Sequence, residues 1–421
     1  MMTSRERVNL ALQHREPDRI PVDLGGTTAT GMHVRTVYRV RQALGLDPPG
    51  TPVKVIEPYQ MLGEIKPDLS AALGSDFLPV HGTGTVFGFK LEGWKEWTDF
   101  DGTPTLVPAG FNTIPEPDGD LLMYPQGDRS VAASGRMPRG GFYFDAIVRQ
   151  PPLDENHLRV EDNLEEFGVI SDQEAELIGR EVKRLDAETD KAIVLNAGVS
   201  GIGTMGKVAG PSLKFPKGIR DVEEWCISLS TRREHIRRIF ERQTAMNLKS
   251  LEKVHRAAGD GVTAIFMTGT DFGAQNGPFI SPKTYRELFL PFHKILNDWV
   301  HQHTAWKTFI HSCGSVWALV EDFITAGFDI LNPVQCSAAD MDPEALKRTF
   351  GDRITFWGGG VDTQKTLPFG TPDEVRREVR ERLRIFGPGG GFVFATVHNI
   401  QALVPVENIQ AMFEAVREFR K

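Results

Sequence analysis

An imidazole and a thiol stand two residues apart in His311-Ser312-Cys313-Gly314, and this spacing is the strongest chemical signal in the 421-residue chain. In an extended segment the side chains at i and i+2 project to the same side, so both donors can reach one ion. A neutral imidazole nitrogen and a thiolate suit Zn²⁺, which takes N and S ligands in tetrahedral geometry and, when catalytic, keeps one position open. The competing reading makes Cys313 a small buried hydrophobe and His311 a hydrogen-bonded core histidine. The choice depends on what holds the pair, because a strand end facing a cleft favours chemistry and a strand interior favours packing.

The elements around the pair follow from periodicity. Short apolar runs bounded by turn signals occur at 20–22, 77–80, 192–195, 263–267, 308–310, 329–331, 354–357 and 392–395. Those from 192 onward are each followed by a segment of helical period. Repeated strand-helix units imply parallel strands covered by helices. Eight strands favour closure, because a barrel of that size has an interior that side chains can fill. The expected fold is α/β, a TIM (β/α)8 barrel forming a single domain over residues 1–421. Residues 82–165 break the pattern with short alternating pieces cut by Asp101-Gly102, Asp118-Gly119 and Gly140-Gly141. They read as a β-rich insertion after the second strand. Thr3 with Glu6, and Ser171 with Glu174, are capping-box signatures for two helices.

In such a barrel the active site lies at the C-terminal ends of the strands. There the runs hand over to Asp23, His81, Asn196, Thr270-Asp271, His311 with Cys313, Asn332 with Gln335, Asp362 and His398-Asn399. This position moves the reading of His311 and Cys313 toward metal ligation. His81, Asn196, Gln335 and Asp362 become candidate substrate contacts, and Asp271 and His398 candidate catalytic groups. Asp271 can accept a hydrogen bond from a ligating histidine, touch substrate, or cap a turn. His398 can complete a metal site or act without metal as a general acid. Gly358-Gly359-Gly360 lacks the surrounding pattern of a phosphate loop and reads as a tight turn.

Composition narrows the classes. The net charge of −8 argues against a nucleic-acid partner. No run of about 18 apolar residues occurs, and the opening residues lack the apolar stretch of a secretory signal, so the expectation is a cytoplasmic protein away from the membrane. Three cysteines, Cys226, Cys313 and Cys336, make no disulfide framework.

These residues together resemble the superfamily of uroporphyrinogen decarboxylase and the zinc methyltransferases that move methyl groups between corrinoid proteins and thiols. The resemblance covers almost the whole chain. Arg5-Glu6-Arg7 leading to Glu16-Pro17-Asp18-Arg19-Ile20-Pro21 looks like the family's start, and Ser281-Pro282-Lys283-Thr284-Tyr285 through Leu290-Pro291-Phe292 like its fifth helical entry. Asn332-Pro333-Val334-Gln335 is similar to its sixth strand end, and Pro405-Val406-Glu407-Asn408 to its last helix. The methyltransferase branch carries His-x-Cys-Gly where this chain has His311 to Gly314, with a third zinc ligand, a Cys, nine residues before the Glu of the last helix. Counting back nine from Glu407 reaches His398. A histidine there is the decarboxylase residue, and it can also bind zinc.

Other decarboxylase features are absent. That branch has Ala-Gly-Arg-Tyr-Leu-Pro after the first strand, whereas this chain reads Asp23-Leu24-Gly25-Gly26-Thr27. Its pyrrole-clamping aspartate would fall near Thr83 and its tyrosine near Gly206. The resemblance therefore implies a methyl or alkyl transferase with Zn²⁺ on His311, Cys313 and His398. It further implies a small methyl donor or thiol acceptor and a partner protein carrying a corrinoid. The alternatives it leaves are a metal-free decarboxylase-like lyase and a non-catalytic barrel binding a corrinoid or tetrapyrrole. The aromatic segment 141–145 offers a lid, a docking surface or a contact in a homo-oligomer.

Overall fold

The computed structural model describes residues 2–419. Seven of the expected strands form one curled parallel sheet: Phe77–His81, Ala192–Asn196, Ala264–Thr268, Lys307–His311, Ile330–Asn332, Thr355–Trp357 and Phe392–Val393, paired in chain order. Two sets of side chains leave it. Phe77, Val194, Ala264, Phe309, Ile330, Trp357 and Val393 pack together inside the curl with Val8 and Leu12 of the helix Ser4–Leu12. Ile193, Leu195, Ile265, Ile310, Leu331 and Phe356 belong to the larger core that includes the surrounding helices. This is the two-sided burial that near-continuous apolar strand runs require. His311 and Asn332 follow Phe309 and Ile330 by two residues, so they continue the inward-facing rows.

The run at 20–22 does not become a full strand. Val22 makes a single parallel bridge to Phe394, and its carbonyl accepts from the Asp76 amide at 2.7 Å. The segment thus touches both edges of the sheet. Pro21 has no N–H to extend a ladder, and the Val22 amide donates instead to the Asp76 carboxylate at 2.9 Å. Asp76, fully buried, also receives Arg7 at 2.9 Å and Arg19 at 2.7 Å. A charged side-chain hub closes the seam where main-chain pairing is short.

The helix ends follow their sequence signals. Thr3 and Glu6 make both bonds of a capping box on Ser4–Leu12, and Ser171 caps Asp172–Glu188. Residues 82–165 do contain short strands, Leu121–Met123, Gly135–Met137 and Asp145–Ala146 forming one antiparallel sheet. However, Lys95–Thr98 and Pro104–Val107 join Val53–Glu57 and Leu62–Gly63, which precede Phe77. The β-rich part is therefore shared between two stretches of chain rather than confined to one excursion. Among the described residues no helix is long and apolar enough to cross a membrane.

Candidate metal centre

The strand Lys307–His311 ends at the site, and the next four residues turn tightly beneath the loop 271–275. Gly314 makes that turn with φ +84°, and a Cβ on it would lie 2.5 Å from the Gly273 backbone, so only glycine fits. The loop holds the turn from several directions. The Cys313 amide donates to Asp271 Oδ1 at 2.7 Å, the Phe272 amide to Ser312 Oγ at 2.9 Å, and the Ser315 amide to the Ala274 carbonyl at 2.8 Å. Gln335 adds a further brace, accepting the Gly314 amide at 2.9 Å while its own amide group donates to Gln275 at 3.1 Å.

Within this frame one nitrogen of His311, the sulfur of Cys313 and one nitrogen of His398 lie within 4.8 Å of one another. Cys313 Sγ is 3.4 Å from His311 Nε2, and the two imidazole centroids are 5.4 Å apart. The orientation of His311 is fixed from behind. Asn332 donates its amide N–H to the Trp357 carbonyl at 2.8 Å, which turns its oxygen toward His311. That oxygen accepts from His311 Nδ1 at 2.6 Å. The Nδ1 proton is thereby assigned, and Nε2 presents its lone pair toward Cys313. Trp357 in turn donates its indole N–H to Asp23 at 2.8 Å, so the brace runs across the interior from His311 to Asp23.

Burial sets the charge states. It lowers the His398 pKa to about 4, with the neighbouring His311 adding to the effect, so the ring is uncharged at neutral pH. Burial and the nearby Asp271 carboxylate push the Cys313 thiol well above its usual range. A thiolate there needs a cation. In a tetrahedral zinc site with Zn–N of about 2.0 Å and Zn–S of about 2.3 Å, adjacent N and S ligands sit roughly 3.5 Å apart. The His311–Cys313 distance already matches that edge, and the donor chemistry fits the ion.

The remaining candidates distribute as follows. Asp271 caps the Cys313 amide and stands 4.0 Å from His311 Nε2, so it is beside the donor group. His81 and Asn196 lie in register on adjacent strands and line a separate cavity of about 920 Å³. The Asn196 amide donates to the Gly26 carbonyl at 2.8 Å. Gln335, expected to meet substrate, has both ends of its amide engaged in bracing the turn. Asp362 accepts the amides of Gln364 and Lys365 at 2.6 and 2.9 Å, a turn-capping role. The 358–360 triglycine is a turn, with φ +98° at Gly358 and +78° at Gly359. Sequence reasoning did not find the orienting role of Asn332 or the braces from Ser312 and Gln275. A usable signal existed for Asn332, a polar residue ending an apolar run on the inward row.

The chain belongs to the uroporphyrinogen decarboxylase (URO-D) family, which matches over residues 145–419. Relatives include a uroporphyrinogen decarboxylase of Pseudoalteromonas translucida (strain TAC 125), 29% identical over 150 residues, 34% of this chain and 39% of that protein. Another, from Coxiella burnetii (strain RSA 493 / Nine Mile phase I), is 24% identical over 189 residues, 43% of this chain and 46% of that protein. The chain thus spans less than half the length of these curated relatives. Among solved structures it is similar to a methyltransferase from Methanosarcina mazei, with TM-score 0.55 and 15% identity over 99% of both chains. At that identity the likeness concerns the fold.

Proposed function

We propose that the chain is a zinc-dependent methyl or alkyl transferase, with His311, Cys313 and His398 as the metal ligands. The observation that carries this is the convergence of one sulfur and two imidazole nitrogens beside the end of the strand Lys307–His311, with His311 Nε2 turned toward Cys313 by the Asn332 hydrogen bond to Nδ1. Zinc bound there would leave a fourth position in which a substrate thiol is acidified to a thiolate, the nucleophile for an alkyl group. Asn332 holds the His311 tautomer and ring plane. Asp271 anchors the Cys313 backbone and places a carboxylate near the donors, where it favours a net positive centre. The methyl donor or thiol acceptor is a small molecule, and a corrinoid-carrying protein is proposed as the exchange partner.

The decarboxylase names of the relatives favour a second reading, a metal-free lyase with His398 as general acid. Burial disfavours it, because a ring titrating at about 4 carries no ready proton at neutral pH. Metal analysis of the purified chain is expected to give about one zinc per chain, lost in His311→Ala and Cys313→Ser. Zinc-free protein that turns over uroporphyrinogen in the presence of chelator would overturn the transferase reading.

A further inference from the structure

His398 also lines a cavity that no role described above uses and that Cys313 does not line. It measures about 690 Å³. Tyr59, Phe142, Tyr143 and Phe369 supply aromatic surface. Phe369 is 79% exposed and Tyr143 46% exposed, large rings left open to solvent at its edge. Part of the polar wall is committed elsewhere. Asn399 accepts the Gly31 amide at 2.6 Å and donates to the Thr28 carbonyl and to Gln60, each at 2.8 Å.

The charge is one-sided. Asp145 contributes a carboxylate, and among the described residues no Lys or Arg lines the cavity. A space of several hundred Å³ with mainly apolar walls is the size that encloses one small organic molecule. Aromatic walls favour flat rings through stacking and edge contacts. Asp145 is exposed, so its carboxylate would repel an anionic ligand through partly screened charge, with no counter-charge in the wall to offset it.

We propose that this cavity binds an uncharged molecule built on an aromatic ring and delivers it to the His398 side of the donor group, with Asp145 excluding anions. The delivery rests on the zinc reading; the binding does not. The test is titration calorimetry on the full chain with a matched pair of probes, neutral 4-methoxyphenol and anionic 4-methoxybenzoate, at neutral pH. The phenol is expected to bind about tenfold more tightly than the benzoate, a difference of about 1.4 kcal/mol. Phe369→Ala and Tyr143→Ala, both at exposed positions, should each weaken the phenol about three- to tenfold. Asp145→Asn should strengthen the benzoate while leaving the phenol unchanged.

No heat from 4-methoxyphenol at millimolar concentration, equal binding of the two probes, or indifference of the phenol to both aromatic substitutions would overturn the proposal. Repeating the titration on chelator-treated protein and on His311→Ala separates the two readings. Phenol binding by a chain that never holds zinc would leave the cavity assignment standing and remove the transferase; zinc without phenol binding would do the reverse.

Discussion

Asn332 decides which nitrogen of His311 is available, and among the described residues its side chain hydrogen-bonds to His311 and Trp357 and to neither of the other two proposed ligands. Its amide is fixed by Trp357, so its oxygen can only accept. Asn332→Ala should therefore leave the His311 tautomer unassigned and the Trp357 carbonyl unpaired. The expected loss is about 10- to 100-fold in zinc affinity, read by competition with a chromophoric chelator. A stability loss of about 1–3 kcal/mol should accompany it in denaturant unfolding. At this scale the sequence was partly legible. His311 and Cys313 were visible because i and i+2 share a face at a strand end, and His398 through its spacing from Glu407. Gln335 and Asp362, expected as substrate contacts, hydrogen-bond to backbone amides in the structure. The sequence does not signal that use, because a polar residue after a strand looks the same whether it faces the cleft or holds a turn.

The turn 312–315 and the loop 271–275 act as one element, since each supplies the hydrogen-bond partners of the other. Gly314→Ala tests this directly. A methyl group 2.5 Å from the Gly273 backbone, on a residue at φ +84°, must push the two segments apart. The expected result is loss of bound zinc together with destabilisation of about 2 kcal/mol or more, measured by metal content and by urea unfolding. Elements were legible where the pattern was local. The seven sheet strands were readable as apolar runs, and the capping residues at Thr3 and Ser171 marked helix starts. Val53–Glu57 was not readable, because its parallel partner Pro104–Val107 is far along the chain and a short alternating pentapeptide carries little signal alone. The run at 20–22 was over-read, since Pro21 removes a donor and Asp76 takes over the bond that a strand would have made.

Across the whole molecule, several histidines are held neutral by burial. His293, hydrogen-bonded to Tyr285 at 2.9 Å, has its pKa lowered to about 3, and His33, against the Phe142 carbonyl at 2.7 Å, to about 4. Both are far below the unfolded value near 6.5. Above 6.5 neither state is protonated and these groups cost nothing. As pH falls below 6.5 the unfolded chain takes up protons first, so stability declines until the folded values are reached. At pH 5 each contributes a loss of about 2 kcal/mol. Asp23 works in the opposite direction. Burial raises its pKa to about 6, so its contribution to stability is largest in acid and is lost as pH rises from about 4 to 6. Melting curves from pH 7.5 to 5 are expected to show net destabilisation in wild type, and His293→Gln should flatten that slope. An unchanged slope in His293→Gln would refute the assignment.

The three donors differ in how they are brought together. His311 and Cys313 are neighbours in the chain and remain so when it unfolds, whereas His398 joins them only when the strand Phe392–Val393 has been seated at the far edge of the sheet. On the proposed zinc reading, an unfolded chain would therefore keep a weak two-point grip on the ion. Metal captured by the native protein would then stabilise it by less than its full binding energy, because part of that energy would already be available to the denatured state. Native affinity and the metal-dependent rise in melting temperature should consequently fail to match, and the shortfall measures how much of the site is written into four consecutive residues.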